Sequence, residues 1–294
     1  MGLQYDAVPP QSGTFTGSTK AAIINGIETI LLAAGWTEIS ATAGVDILFQ
    51  SVTTPQGNQI RVRVFDDSSS SVRIRLSNVS GTLVQSDSCY LFPQTSKVFR
   101  IVANRYQFAC WVPTSVAARD FVICSALYIP GFLNGGSPPL ITSAFIMGNA
   151  NSTSDTTIRG SFRTILCGRD YTTGLCNGFG ILNATSVEWA GGTASPFRGA
   201  PSLSIPQSAD MYYVGGNLWH DGSCLIPEPL VGWGSSLSAP NLVRGQLWDA
   251  MVSTDSFPMD DTTVFDSHNW VNLTSSNTGA DSLTMAGSLW IVTP

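Results

Sequence analysis

The sequence predicts an α+β unit at its start, one helix on an antiparallel sheet, followed by mostly-β, sandwich-like structure. Three observations carry this prediction. A single well-patterned helical stripe lies near the start; three β-prone runs follow it directly; and from Thr82 onward short β-prone pieces alternate with Gly, Pro and Asn turns. Element order of this kind places one helix against a sheet and leaves the later strands to pack on one another.

The helix begins at Ser18 or Thr19, either of which can cap it, and places Ile23, Ile24, Ile27, Ile30, Leu31 and Ala34 on one stripe before Gly35 supplies a left-handed stop. The stripe is expected to cover the sheet that comes next. Asp46–Val52, Gln59–Phe65 and Val72–Asn78 read as its strands, bounded by Pro55-Gln-Gly-Asn58 and by Asp66-Asp-Ser-Ser-Ser-Ser71. Lys97–Ala103 and Tyr106–Val112 then form a hairpin through Asn104-Arg105, Asp120–Ile129 is an apolar run ended by Pro130-Gly131, and residues 133–139 form a loop. Short β-prone pieces continue from Thr142–Met147 to Ser288–Val292 without a fixed period, so neither a solenoid nor a propeller is supported. Three segments are expected: 1–80, the helix-on-sheet unit; 81–183, a β-rich middle; and 184–294, β-rich, Trp-rich and acidic.

Composition bears on the kind of function. Only 12% of the 294 residues are charged and two are lysines, Lys20 and Lys97, against about 25% charged in ordinary soluble domains. Ser, Thr, Asn, Gly and apolar side chains must therefore form most of the outer surface, and such a surface favours neighbours over water. Residues 1–183 hold 12 bases and 10 acids, whereas 184–294 hold 10 acids against Arg198 and Arg244 alone, which argues against a nucleic-acid grip by the second part. No apolar stretch approaches the roughly 18 residues of a membrane span. The start, Met1 to Asp6, lacks the basic and apolar regions of a secretory signal. Cys89, Cys110, Cys124, Cys167, Cys176 and Cys224 are accordingly expected reduced and mostly buried, with no zinc-ligand spacing. The N-x-S/T triplets at Asn78, Asn151, Asn183 and Asn272 are chance matches in so polar a chain unless it is secreted.

Four arginines form the candidate site. Arg61 and Arg63 share one strand face, as do Arg73 and Arg75, with Val62, Val64, Val72, Ile74 and Leu76 opposite. If the apolar set is buried, register forces all four guanidiniums onto one exposed face. That face is solvated and balanced by Asp66 and Asp67, or a patch that docks carboxylates of a neighbouring subunit, with nucleic acid as the remaining alternative. Any histidine chemistry must pass through His220 or His268; Trp219-His-Asp-Gly-Ser-Cys224 reads as a turn, and no nucleophile elbow or paired metal-histidine pattern occurs. Asp255-Ser-Phe-Pro-Met-Asp-Asp261 lacks the glycine and glutamate of a calcium loop and reads as a Pro-containing turn. No catalytic residue, cofactor or metal site is expected. Six of eight tryptophans, Trp189, Trp219, Trp233, Trp248, Trp270 and Trp290, lie in the last segment, serving core and interface or a sugar platform; alternating apolar neighbours mark Trp248 and Trp270 as buried.

Lys20–Trp36, with Asp46–Ser51 and Gly57–Val64, resembles the N-terminal helix-to-sheet module of tailed-bacteriophage virion proteins, and Leu247–Ser253, Phe265–Leu273 and Ser288–Val292 resemble the C-terminal part of such proteins. The resemblance implies a non-enzymatic structural subunit of the tail, baseplate or tail tip, made in the bacterial cytoplasm and built into the virion. Its partners would be other virion proteins and copies of itself, without nucleic acid or membrane insertion. The alternative is a receptor- or carbohydrate-binding module of the tail that meets a host surface glycan; a glycan hydrolase is third.

Overall fold

The computed structural model describes residues 2–68, 70–77, 89–113, 121–129, 141–147, 163–169, 176–182, 187–190, 223–227, 243–253, 257–273 and 288–294. The boundaries at 80/81 and 183/184 lie outside these residues, as do the loop at 133–139, Asn78, Asn151, Asn183 and Trp219 to Gly222.

Strand β1, Gln11–Thr16, precedes helix α1, Lys20–Ala33. Thr19 caps the helix, its Oγ1 accepting from the Ala22 N–H at 3.1 Å. Gly35, at φ +86°, ends it. The Gly35 and Trp36 amides return to the carbonyls of Leu32 and Leu31 at 3.0 and 2.9 Å, a closing turn that needs the left-handed residue glycine adopts without strain.

Next come β2, Thr37–Thr42, β3, Asp46–Gln50, β4, Arg61–Asp66, β5, Val72–Ser77, and β6, Cys89–Leu91, joined in that order as one antiparallel sheet. The three expected strands are β3, β4 and β5. A second sheet is built from β7, Val98–Ala103, β8, Gln107–Trp111, β9, Phe121–Ala126, β10, Ile141–Met147, β11, Arg163–Arg169, β12, Cys176–Leu182, and β13, Val187–Ala190. These seven run as an antiparallel meander, and β1 adds itself beside β7 as the eighth strand. The third sheet has the order β14-β15-β18-β17-β16, from β14, Ser223–Pro227, β15, Val243–Ser253, β16, Thr262–Phe265, β17, His268–Asn272, and β18, Ser288–Thr293.

The helix covers the first sheet, as the stripe predicts, and it also lies against β1 and β7. Ile23, Ile24, Ile27 and Leu31 are fully buried in one core with Ile47, Phe49, Val62, Val64 and Ile74 on one side and Phe99, Ile101 and Phe108 on the other. Close approach to β1 depends on Gly26, where a Cβ would come within 2.5 Å of the Phe15 ring. The stripe Ile23, Ile24, Ile27 and Leu31 is thus removed from water between the two, a burial that stabilises each large aliphatic by about 1.5–3 kcal/mol. The same core continues through Cys89, Cys110, Cys124 and Phe145.

The third sheet joins the second through β15. Tyr128, just past β9, forms a bridge with Gln246, their N–H and C=O groups exchanging bonds of 3.0 and 2.9 Å. The Trp248 indole donates to the Ala126 carbonyl at 2.8 Å. Trp248 and Trp270 are buried, as their neighbours predict.

Candidate functional site

The register of β4 and β5 places Val62 opposite Leu76 and Val64 opposite Ile74, all inward and fully buried. Arg63 consequently faces Arg75 on the outer side, with Arg61 and Arg73 on the same side. The arginines are half-buried and held by their own chain. Arg61 Nε donates to Gln50 Oε1 at 2.7 Å; Arg63 grips Asp46 with two donors, Nε to Oδ1 at 2.8 Å and Nη2 to Oδ2; and Arg73 pairs with Asp67. The opposed Arg63 and Arg75 share the Phe65 ring, their guanidiniums 4.8 and 5.6 Å from its centroid, and Arg73 lies 4.8 Å from that of Tyr90. Such ring contacts offset part of the like-charge repulsion across the strands. The Asp46 hydrogen bonds hold the Arg63 guanidinium above its ordinary pKa, whereas burial lowers that of Arg61. Of the two expected balancing acids, Asp67 serves Arg73, while Asp66 pairs with Lys20 at 2.6 Å.

A second constellation joins parts of the chain that no local pattern connects. The β7–β8 hairpin turns at Asn104, whose Oδ1 accepts the Tyr106 and Gln107 amides at 2.8 and 2.7 Å. This turn presents Arg105 outward, and its guanidinium forks onto Asp6: Nε lies 2.9 and 3.1 Å from the two oxygens and Nη2 bonds Oδ1. The Arg105 amide donates to Asp6 Oδ2 at 3.1 Å. With its carboxylate fully saturated this way, the Asp6 side chain is 0% exposed.

Asp249 on β15 ties the same turn to the first segment. Its Oδ1 accepts the Asp6 amide at 3.0 Å, its Oδ2 accepts Asn104 Nδ2, and its own amide donates to the Gln4 carbonyl at 2.7 Å. The backbone here is left-handed, φ 49°, a strained state for an aspartate that these bonds maintain. Burial pushes the Asp249 carboxyl up to about 6, with the Asp6 charge adding to the rise and the Asn104 and Asp6 donors and His268 opposing it.

Tyr5 completes the seat. Its ring stacks on His268 with centroids 4.1 Å apart and planes 6° apart, meets Trp270 edge-on at 6.2 Å, and its hydroxyl donates to Asp266 Oδ2 at 2.8 Å. Burial and the Asp266 carboxylate push the Tyr5 hydroxyl pKa well up. Leu3 and Tyr5 pack on the Trp270, Trp290 and Val292 cluster, and Gln246 Nε2 donates to the Gly2 carbonyl at 3.0 Å.

His268 thus opens β17 directly after a hairpin turn, with its Nδ1 2.6 Å from the Asp266 carbonyl; His220 lies outside the described residues. The acidic segment forms a turn over its described part, residues 257–261, where the Asp261 amide reaches the Pro258 carbonyl at 3.2 Å. Asp260 is drawn to Arg100 at 2.9 Å and accepts the Trp111 indole at 3.3 Å. Cys89, Cys110 and Cys124 are buried and take part in no disulfide, and burial pushes the Cys124 thiol up; nothing is described of the Cys167, Cys176 and Cys224 side chains. Among the described residues no group of three or more His, Cys, Asp or Glu is placed to hold a metal ion, and no helix is long and apolar enough to cross a membrane.

Sequence reasoning located the arginine face and missed the Asp6–Arg105–Asp249 junction. One signal was available, a charged residue at the tip of a tight turn between two apolar strands. Its partners lie 99 and 145 residues from the turn, beyond any periodic pattern. No protein-family model matches the chain, and neither does any curated protein.

Proposed function

We propose that this chain is a structural subunit of a tailed-phage particle, of tail, baseplate or tail-tip type, whose work is protein–protein contact. The observation that carries the reading is β16. All four of its residues are exposed, it ends its sheet, and Val264 and Phe265 stand 72% and 48% accessible. An edge strand of this kind displays unpaired N–H and C=O groups, and proteins that live alone guard such edges with lysine, proline or a bulge. Thr262-Thr-Val-Phe265 has no lysine or proline and pairs with β17 without a register shift. The opposite case is β2, equally exposed, where a register shift between Glu38 and Ser40 blunts the edge.

The charge distribution supports the same reading. Lys20, Arg63, Arg73, Arg100 and Arg105 are each paired with an acid of their own chain, so these cations are already balanced within it. In this reading the four-arginine face is a docking patch on which a neighbour's carboxylates compete with Asp46 and Asp67. The tryptophans with described side chains, Trp36, Trp111, Trp248, Trp270 and Trp290, are all buried, so these five serve cores and not a glycan surface.

Quantitative mass spectrometry of washed, gradient-purified phage particles tests the reading. The chain is expected at a fixed ratio to the other tail proteins. Its loss on washing, with a stable monomer in the supernatant, would overturn it.

A further inference from the structure

We infer that the seat formed by Arg105, Asp249, His268 and Trp270 takes residues 2–8 from a second copy of this chain, so that copies are joined by reciprocal exchange of this segment. The proposal goes beyond the particle reading and does not depend on it, because it stands on how the segment is held.

Residues 2–8 belong to no helix or strand. They are fixed at discrete points: the Gly2 carbonyl on Gln246, the Gln4 carbonyl on the Asp249 amide, the Tyr5 ring on His268 and Trp270, and the Asp6 carboxylate on Arg105. Every one of these partners lies at 105 or at 246–270, whereas the next element, β1, is laddered to β7. The segment can therefore leave its seat without breaking a single strand pairing.

The connection is suited to this. Ala7, Val8 and Pro9 are exposed, and the chain bends at Ala7 and Val8, just ahead of Pro9-Pro10, whose rings fix their own φ angles. A change of direction at this exposed bend leaves the proline pair and β1 as they are. Because the exchanged contacts are identical to the closed ones, the balance is set by what else the two copies bury. Around the seat that surplus is apolar: Val8 is 44% exposed on the hinge, and Phe265, 48% exposed beside Val264, immediately precedes the Asp266 that receives the Tyr5 hydroxyl. A second copy reaching into the seat passes over these side chains and covers them.

Charge reversal tests the exchange directly. Asp6→Arg mismatches the segment with its own Arg105, and Arg105→Asp mismatches the seat with its own Asp6. In a reciprocal dimer of the two variants both junctions are matched again. Refolded separately from urea, each variant is expected to be monomeric; refolded together, they are expected to give a 1:1 heterodimer, read by light scattering and native mass spectrometry. Folded variants that stay monomeric in the mixture would overturn the proposal. Should either reversal prevent folding, tagged and untagged wild-type copies refolded together give an independent reading. Retention of the untagged copy on the tag, abolished when residues 2–8 are removed from both, supports exchange; no retention, or retention that survives the removal, overturns it.

Discussion

Tyr5 lies flat on His268, ring planes 6° apart, with the tyrosine hydroxyl on Asp266 of the same turn. The turn itself is left-handed at both Asp266 and Ser267, φ 49° and 61°, the geometry that two-residue hairpins need and that glycine and asparagine usually supply. The stacked ring compensates that strain from outside the hairpin. Tyr5→Ala is expected to destabilise the chain by about 1–3 kcal/mol and to raise hydrogen exchange at residues 265–268. A change confined to residues 2–8 would show that the turn holds itself.

Asp249 predicts a pH dependence with a definite sign. Its folded value of about 6 lies above the ordinary 3.8, so between these values the folded chain binds a proton that the unfolded chain releases. Stability from this group is fully present below about pH 4 and declines as pH rises to about 6, by roughly 3 kcal/mol in all. Comparing urea midpoints of the wild type and Asp249→Asn from pH 4 to 7 should show the wild type losing ground steadily. Parallel curves would place the shift elsewhere.

The helix is expected to respond unequally along its stripe. Ile27, fully buried between two sheets, should lose about 2–5 kcal/mol on truncation to alanine; Ile30, partly buried against the core, should lose less. Gly26→Ala should also destabilise, by about 1–3 kcal/mol, since the new methyl displaces Phe15. Urea denaturation measures all three.

Within the arginine face, Arg61→Gln and Arg73→Gln should differ. The Arg61 contact is to a glutamine across the strand, a change worth about 0.5 kcal/mol or less. Arg73 pairs with Asp67, whose side chain is 3% exposed, so its loss removes a charge partner from a buried carboxylate and should cost about 1–3 kcal/mol. If assembly uses this face, the Arg61 variant folds normally and incorporates less well at raised salt.

Placing a lysine on the exposed edge, Val264→Lys, should leave the melting temperature within a degree or two, since surface changes are mostly within about 0.5 kcal/mol. It should reduce self-association measured by sedimentation. Unaltered association would remove β16 from the contact surface.

What was legible in the sequence followed local periodicity. The stripe from Ile23 to Ala34, the cap at Thr19 and the stop at Gly35 are contained in 17 residues, and the valines of β4 and β5 alternate strictly enough to fix which side the arginines take. β1 and β2 escaped for a physical reason: Gln11-Ser-Gly-Thr-Phe-Thr16 half-buries Gln11, Gly13 and Phe15, of which Phe15 alone is a large apolar side chain, and every residue of β2 is exposed, so neither carries an apolar alternation. The helix was expected to have one wall and has two, because the second is assembled from β1 and from β7, some 70 residues beyond the helix. The junction at Arg105 was hidden in the same way, since a carboxylate that meets its guanidinium across 99 residues leaves no trace in spacing.

Pairing of β1 with β7 and seating of Tyr5 on His268 also order events in time. During synthesis α1 and β2 to β5 emerge early, yet one side of the helix stays bare until residue 103 has left the ribosome to close the ladder with Gln11. Residues 2–8 wait far longer, for Asp249, Asp266 and Trp270. Residues 2–8 are made long before the partners that secure them, and throughout that interval Tyr5 and Asp6 can find the finished seat of a copy released from a neighbouring ribosome.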